Sequence, residues 1–218
     1  MRICNHTVSI VVISLLTAER KEIIASNKVY WGQNVHVHRA IDGFNHTRVA
    51  ETLNQNKIKY HKLCKGHTNF GMLACWLSHY EAMKWQVEQG IQWVARFEDD
   101  IQMSKTWKRM LSFPLCSPAA NGRMNAHIAD MTLLGSYGEA YLTSLAGAKR
   151  MIAKLRHYGV IGCQDQQMNI PSFMNTTIFR VSHQFNLIKP HPWKFVFVPN
   201  RGDIRKTKKI TSGWMTTR

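Results

Sequence analysis

Apolar residues run almost unbroken from Val8 to Leu15, and five of them are β-branched (Val8, Ile10, Val11, Val12, Ile13). Such a run predicts a strand buried on both faces, as in a parallel sheet under helices. Thr17-Ala18-Glu19-Arg20 then opens a helix through about Asn27, with Thr17 as its N-cap. Val35 to Ala40 alternates in the manner of a second strand, ended by the turn chemistry of Ile41-Asp42-Gly43. Residues 44 to 70 are polar and predict short helix and loop. Leu73, Trp76, Leu77, Tyr80, Met83 and Val87 recur at three- and four-residue spacing, which is one face of a helix, and Gly90 stops it. A strand over Ile91 to Phe97 follows directly.

The later chain alternates in the same way. Residues 102 to 124 predict helix and then loop, His127 to Leu134 and Glu139 to Thr143 strands, and Ser144 to His157 a helix. Short strands are predicted at Ile178 to Val181 and Phe195 to Val198. Strand and helix alternating through one chain predict an α/β domain with a mostly parallel central sheet. A length of 218 residues suits one core, so the domain is placed at 1–198 and a basic C-terminal tail at 199–218.

Charge changes this picture. The chain carries 29 Lys and Arg against 13 Asp and Glu, a formal net charge of +16. A surface of that sign attracts polyanions such as nucleic acid, anionic membrane or anionic glycan. The five cysteines (Cys4, Cys64, Cys75, Cys116, Cys163) are odd in number and form no Cys-x-x-Cys, so reduced, mostly buried thiols in a cytoplasmic protein are expected. The apolar run Val8 to Leu16 is too short to cross a bilayer and has no small-residue cleavage site after it, which reads as a strand rather than a targeting segment. On that reading the Asn-x-Thr sequons at Asn5, Asn45 and Asn175 are accidental.

Against so basic a background, Glu98-Asp99-Asp100 stands out. Three carboxylates in a row at the end of a buried strand repel one another, and a divalent cation is the simplest compensation. In an extended stretch Glu98 and Asp100 project to one side and Asp99 to the other. One acid-x-acid pair suffices to hold Mg²⁺ or Mn²⁺ against a diphosphate. A solvated acidic turn capping the next helix accounts equally well for the triplet taken alone.

Blocks along the chain resemble glycosyltransferase family 25, which includes lipooligosaccharide and collagen galactosyltransferases. The opening strand Val8 to Leu15 with Arg20 resembles its first block. Arg39-Ala40-Ile41-Asp42-Gly43, Gly71 to His79, Phe97-Glu98-Asp99-Asp100-Ile101, and Gly135-Ser136-Tyr137 with Ala140 to Thr143 and Gly147-Ala148-Lys149 follow in the family's order. The chain departs from the family pattern at Ser14, Met72 and Ala74, and its last fifty or so residues match no block.

The resemblance implies a single Rossmann-like, nucleotide-sugar-binding domain of the GT-A type. It implies an inverting glycosyltransferase whose acidic motif holds Mn²⁺ or Mg²⁺ against a UDP-sugar. On this reading Glu98 and Asp100 are the metal ligands. Ser14, Arg20, Asp99, Ser78 and His79 contact the donor, and Asp165 is the catalytic base, with Asp130 in reserve. A lone helical His is more often structural than a ligand, and an Asp in a loop as often makes a local turn.

Trp193, Arg201, Arg205, Lys206, Lys208 and Lys209 pair aromatic and basic side chains near the C-terminus and suit acceptor or polyanion binding. The acceptor is expected to be a hydroxyl on a polyanion: a hydroxymethylated base in DNA, as with viral DNA-modifying enzymes acting in the host cytoplasm, or a lipooligosaccharide glycan. A metal-dependent nuclease and a non-catalytic DNA-binding protein remain the alternatives of other classes.

Overall fold

Side-chain caps and glycines set the ends of the long helices. In the computed structural model, which describes residues 1–32, 34–60, 70–102, 107–116, 131–134, 140–161, 167, 178–180 and 198–199, Thr17 accepts the amide of Arg20 to start α1 (Ala18–Trp31). Gly32, with φ +88°, stops it. Ser144 accepts the amide of Gly147 and starts α5 (Leu145–Tyr158). Gly90, at φ +63°, follows α3 (Phe70–Glu88), a backbone region costly for any residue with a Cβ. α1 runs one turn beyond the expected Asn27, because Trp31 is buried in the core and Asn27 itself donates to the carbonyl of Ile101.

The run Val8 to Leu15 forms β2 (His6–Ser14), buried from Ile10 to Ser14. β3 (Val35–Arg39) and β4 (Trp93–Glu98) both pair with it in parallel over Ile10 to Ile13, so they lie on its two edges. β1 (Arg2–Ile3) folds back antiparallel on the start of β2. Beyond β4 the sheet changes direction. β7 (Ala140–Ser144) pairs antiparallel with β4, β6 (Met131–Leu133) antiparallel with β7, and β8 (Ile178–Arg180) parallel with β6. The order is β1-β2-β4-β7-β6-β8, with β3 on β2. The expected mostly parallel sheet is therefore corrected to a mixed one. Strands covered on both faces are apolar whichever way they run, so the sequence pattern does not report direction.

Helices cover both faces. Ile24 and Trp31 of α1 pack with Trp107, Leu111 and Leu115 of α4 (Trp107–Cys116) against Trp93, Ala95 and Phe97 of β4. On the other face α3 and α5 join α2 (His46–Asn56) around Leu73, Trp76, Leu77, Tyr80 and Met151. A second pairing, β5 (Ile101–Gln102) with β9 (Val198–Pro199), brings the chain back beside the end of β4. The boundary expected between 198 and 199 thus falls inside β9, and residues 200–218 of the basic tail lie outside the described residues. Among the described residues no helix is long and apolar enough to cross a membrane.

The cysteine expectation is also corrected. Cys4, in the turn between β1 and β2, is joined by a disulfide to Cys116 at the end of α4, and both positions are exposed. The spacing of 112 residues hides this pairing from a reading of the sequence. Disulfides persist in oxidising surroundings, so the thiol argument for a cytoplasmic location falls away. Cys75 is half-buried and not in a disulfide, while Cys64 and Cys163 lie outside the described residues.

Candidate functional site

Parallel pairing brings three strand ends to one rim. Ser14 is in register with Arg39, and Ile13 with Glu98. Ligands of α/β sheets bind beyond the carboxyl ends of such strands. The side chain of Ser14 is buried and turns inward to accept the amide of Leu16, whose φ of +58° folds the chain sharply off the strand.

Side chains of β4 alternate between the two helical layers. Trp93, Ala95 and Phe97 face α1 and α4, whereas Arg96 and Glu98 face α3. Glu98 meets His79 of α3, with Oε1 3.1 Å from Nε2. The strand ends there, so the alternation expected to leave Asp99 alone on its side stops. Asp99 lies 2.8 Å from Arg20 of α1, and Asp100 lies 3.7 Å from the same guanidinium nitrogen. Asp99 and Asp100 thus share Arg20.

Glu98 nevertheless acts on Asp100. Burial first, and then the charge of Glu98, push the Asp100 carboxyl from 3.8 up to about 7, against the opposing pull of Arg20. The displacement marks first a carboxyl drawn out of water and second one held beside another acid. Carboxylate oxygens are the donor type that Mg²⁺ and Mn²⁺ take, but Glu98 turns to His79 while Asp99 and Asp100 turn to Arg20.

Behind Glu98 runs a chain of buried polar contacts. His79 Nδ1 lies 2.7 Å from the hydroxyl of Tyr141, one residue into β7. The guanidinium of Arg96 lies 5.6 Å from the centre of the Tyr141 ring. Arg96 is fully buried and donates to the carbonyl of Ala82, to Gln86 at 2.6 Å and to Thr143. All its hydrogen-bond acceptors in the described residues are neutral, and burial lowers its pKa to about 10, which still leaves it charged at neutral pH. Burial raises the Tyr141 hydroxyl, so it stays protonated. With Tyr141 donating to Nδ1, a neutral His79 carries its proton on Nε2 and donates it to Glu98.

Ser78, beside His79, is buried and bonds to backbone. It donates to the carbonyl of Ala74 at 2.6 Å and accepts the amide of Ile41 at 2.8 Å. It therefore fastens the loop after β3 to α3. A second contact does the same: a Cβ added to Gly43 would lie 2.6 Å from the Cα of Gly71. The Arg39–Gly43 and Gly71–His79 blocks, distant in sequence, are one unit in the fold.

That loop walls a cavity of about 470 Å³ over the ends of β2 and β3, lined among others by Leu15, Thr17, Arg39, Asp42, Asn45 and Arg48. Asn45 accepts the amide of Arg48 and so caps α2, and Asp42 accepts the amide of Phe44. Reading the sequence had not marked Arg39, Asp42, Asn45 or Arg48 as site residues, although Arg39 and Asp42 stand in a block carrying the family resemblance. Cys75, Tyr141 and Arg96 were missed as well. The four-residue step from Cys75 to His79 on one helical face was the available signal. The proposed base Asp165, its reserve Asp130, and Trp193, Arg201, Arg205, Lys206, Lys208 and Lys209 all lie outside the described residues.

The family model for glycosyltransferase family 25, described as LPS biosynthesis protein, matches residues 7–186 of the chain. No curated protein matches it.

Proposed function

The chain belongs to glycosyltransferase family 25, and from that premise we propose that it is a metal-dependent enzyme transferring a sugar from a nucleotide donor to a hydroxyl on a polyanionic acceptor. The observation that carries this reading is Asp100, its carboxyl raised to about 7 beside Glu98 and Asp99 at the strand end. Glu98 and Asp100 would hold a divalent cation there, which would offer positive charge to the diphosphate leaving group.

The residues of the chain divide the remaining work. The cavity over β2 and β3 takes the nucleoside, with Arg39 and Arg48 offering positive charge to phosphate and Asp42 accepting from sugar hydroxyls. Arg20 holds Asp99 and Asp100 in place. His79, steadied by Tyr141, orients Glu98. Ser14 and Ser78 shape the donor site through the backbone they hold. Asp165 is the proposed base for inverting transfer. It takes the acceptor hydroxyl proton as the new carbon–oxygen bond forms and the bond to the diphosphate breaks, the electron pair leaving with the diphosphate.

Two acceptors suit a chain of charge +16. The family description favours a phosphorylated glycan of lipopolysaccharide type. The excess charge, and the aromatic and basic residues from Trp193 to Lys209, favour a hydroxymethylated base in DNA, which would have to be flipped out of the duplex.

The experiment is release of nucleoside diphosphate from UDP-sugars, with and without Mn²⁺, in the presence of each acceptor. Metal-dependent release that Asp100→Asn abolishes is expected, and the acceptor that gains label decides between the two. A chain that neither binds nor turns over any nucleotide sugar sinks the proposal.

A further inference from the structure

Cys75 and His79 sit one turn apart on α3, and β4 brings Glu98 to them. Sγ of Cys75, a ring nitrogen of His79 and a carboxylate oxygen of Glu98 all lie within 4.8 Å of one another. His79 is buried, whereas Cys75 and Glu98 are partly exposed, so the cluster opens to solvent on one side. A thiolate, an imidazole and one carboxylate make a softer donor set than the three carboxylates of the acidic triplet, and it suits zinc.

We propose that Cys75, His79 and Glu98 form a Zn²⁺ site with an open fourth position. With zinc on Nε2, the Nδ1–H of His79 donates to the Tyr141 hydroxyl at 2.7 Å, the outer contact that fixes a ligating imidazole. The site shares Glu98 with the proposed donor site but does not rest on that reading.

Cobalt(II) is the probe, since a thiolate ligand gives it a near-ultraviolet charge-transfer band. Titrating the full chain should produce that band, saturating at one ion per chain and bleached by zinc. Cys75→Ser removes the band and Asp100→Asn keeps it. Tyr141→Phe weakens zinc binding about ten- to a hundredfold. On the unsubstituted chain, zinc but not Mg²⁺ should slow alkylation of Cys75, read by mass spectrometry. This arm holds even where a variant fails to fold. Absence of the band, a band unchanged in Cys75→Ser, or alkylation of Cys75 indifferent to zinc overturns the proposal. A chain that shows the band yet binds no nucleotide sugar sinks the glycosyl-transfer reading and leaves the zinc site standing.

Discussion

Arg20 Nη1 stands 2.8 Å from Asp99 Oδ1, joining the first helix to the end of the fourth strand. The same nitrogen is the one charge that opposes the rise of the Asp100 pKa. Arg20→Gln should therefore leave two largely buried carboxylates with less compensation. We expect a loss of about 1–3 kcal/mol at pH 8, read by urea unfolding. A smaller loss is expected at pH 5, where Asp100 is protonated in the folded chain.

Two groups give the metal-free chain opposing pH dependences. Asp100 rises from 3.8 to about 7 on folding, so the stability it contributes is present below 3.8 and lost as pH rises through 7. His38 falls from 6.5 to about 4, through burial and then the charges of His36, Arg96 and His79, so its contribution grows as pH rises from 4 to 6.5. Asp100→Asn removes the first effect alone. Relative to the parent, it should gain stability between pH 4 and 7, by at most about 1.4 kcal/mol per pH unit, and hold that gain above pH 7. Unfolding curves in chelator at pH 5 and pH 8 measure this, and an equal difference at both would refute it.

Gly43→Ala would drive a methyl group onto the backbone of Gly71. Neither partner is a flexible side chain that could give way, so we expect about 1–3 kcal/mol of destabilisation. The cavity wall should shift with the loop. Nucleotide binding should fall more steeply than stability does, which calorimetry and thermal unfolding of one sample would separate.

Reducing the Cys4–Cys116 bond, or replacing both residues by Ser, frees a loop spanning 112 residues in the unfolded chain. The cost should be about 2–5 kcal/mol. The melting temperature should fall on adding dithiothreitol in the parent but stay constant in the double variant.

How much of this was written in the order of residues depends on distance along the chain. The run at Val8, the helical period from Leu73 to Val87 and the strand leading into Glu98 are local patterns, and each appears within a few residues of its expected ends. The Thr17 cap was legible for the same reason. Pairing direction was not: β7 lies antiparallel between β4 and β6, and nothing in Ala140 to Ser144 records that. Arg96 sits within an apolar run, and only Gln86 and Thr143, from two other elements, explain how a cation stays there. The acid triplet was visible, yet its division between Arg20 and His79 depends on where β4 stops.

One covalent fact bears on how the chain would survive a cut. Ser14, Arg20, the cavity wall, His79 and the three acids all fall between Cys4 and Cys116. A protease that severs the chain once in that interval yields two fragments still tethered by sulfur. The rim residues then remain in one piece of matter until a reductant parts them. On a non-reducing gel such a nicked chain would migrate as a single species, and only the reduced lane would reveal the wound.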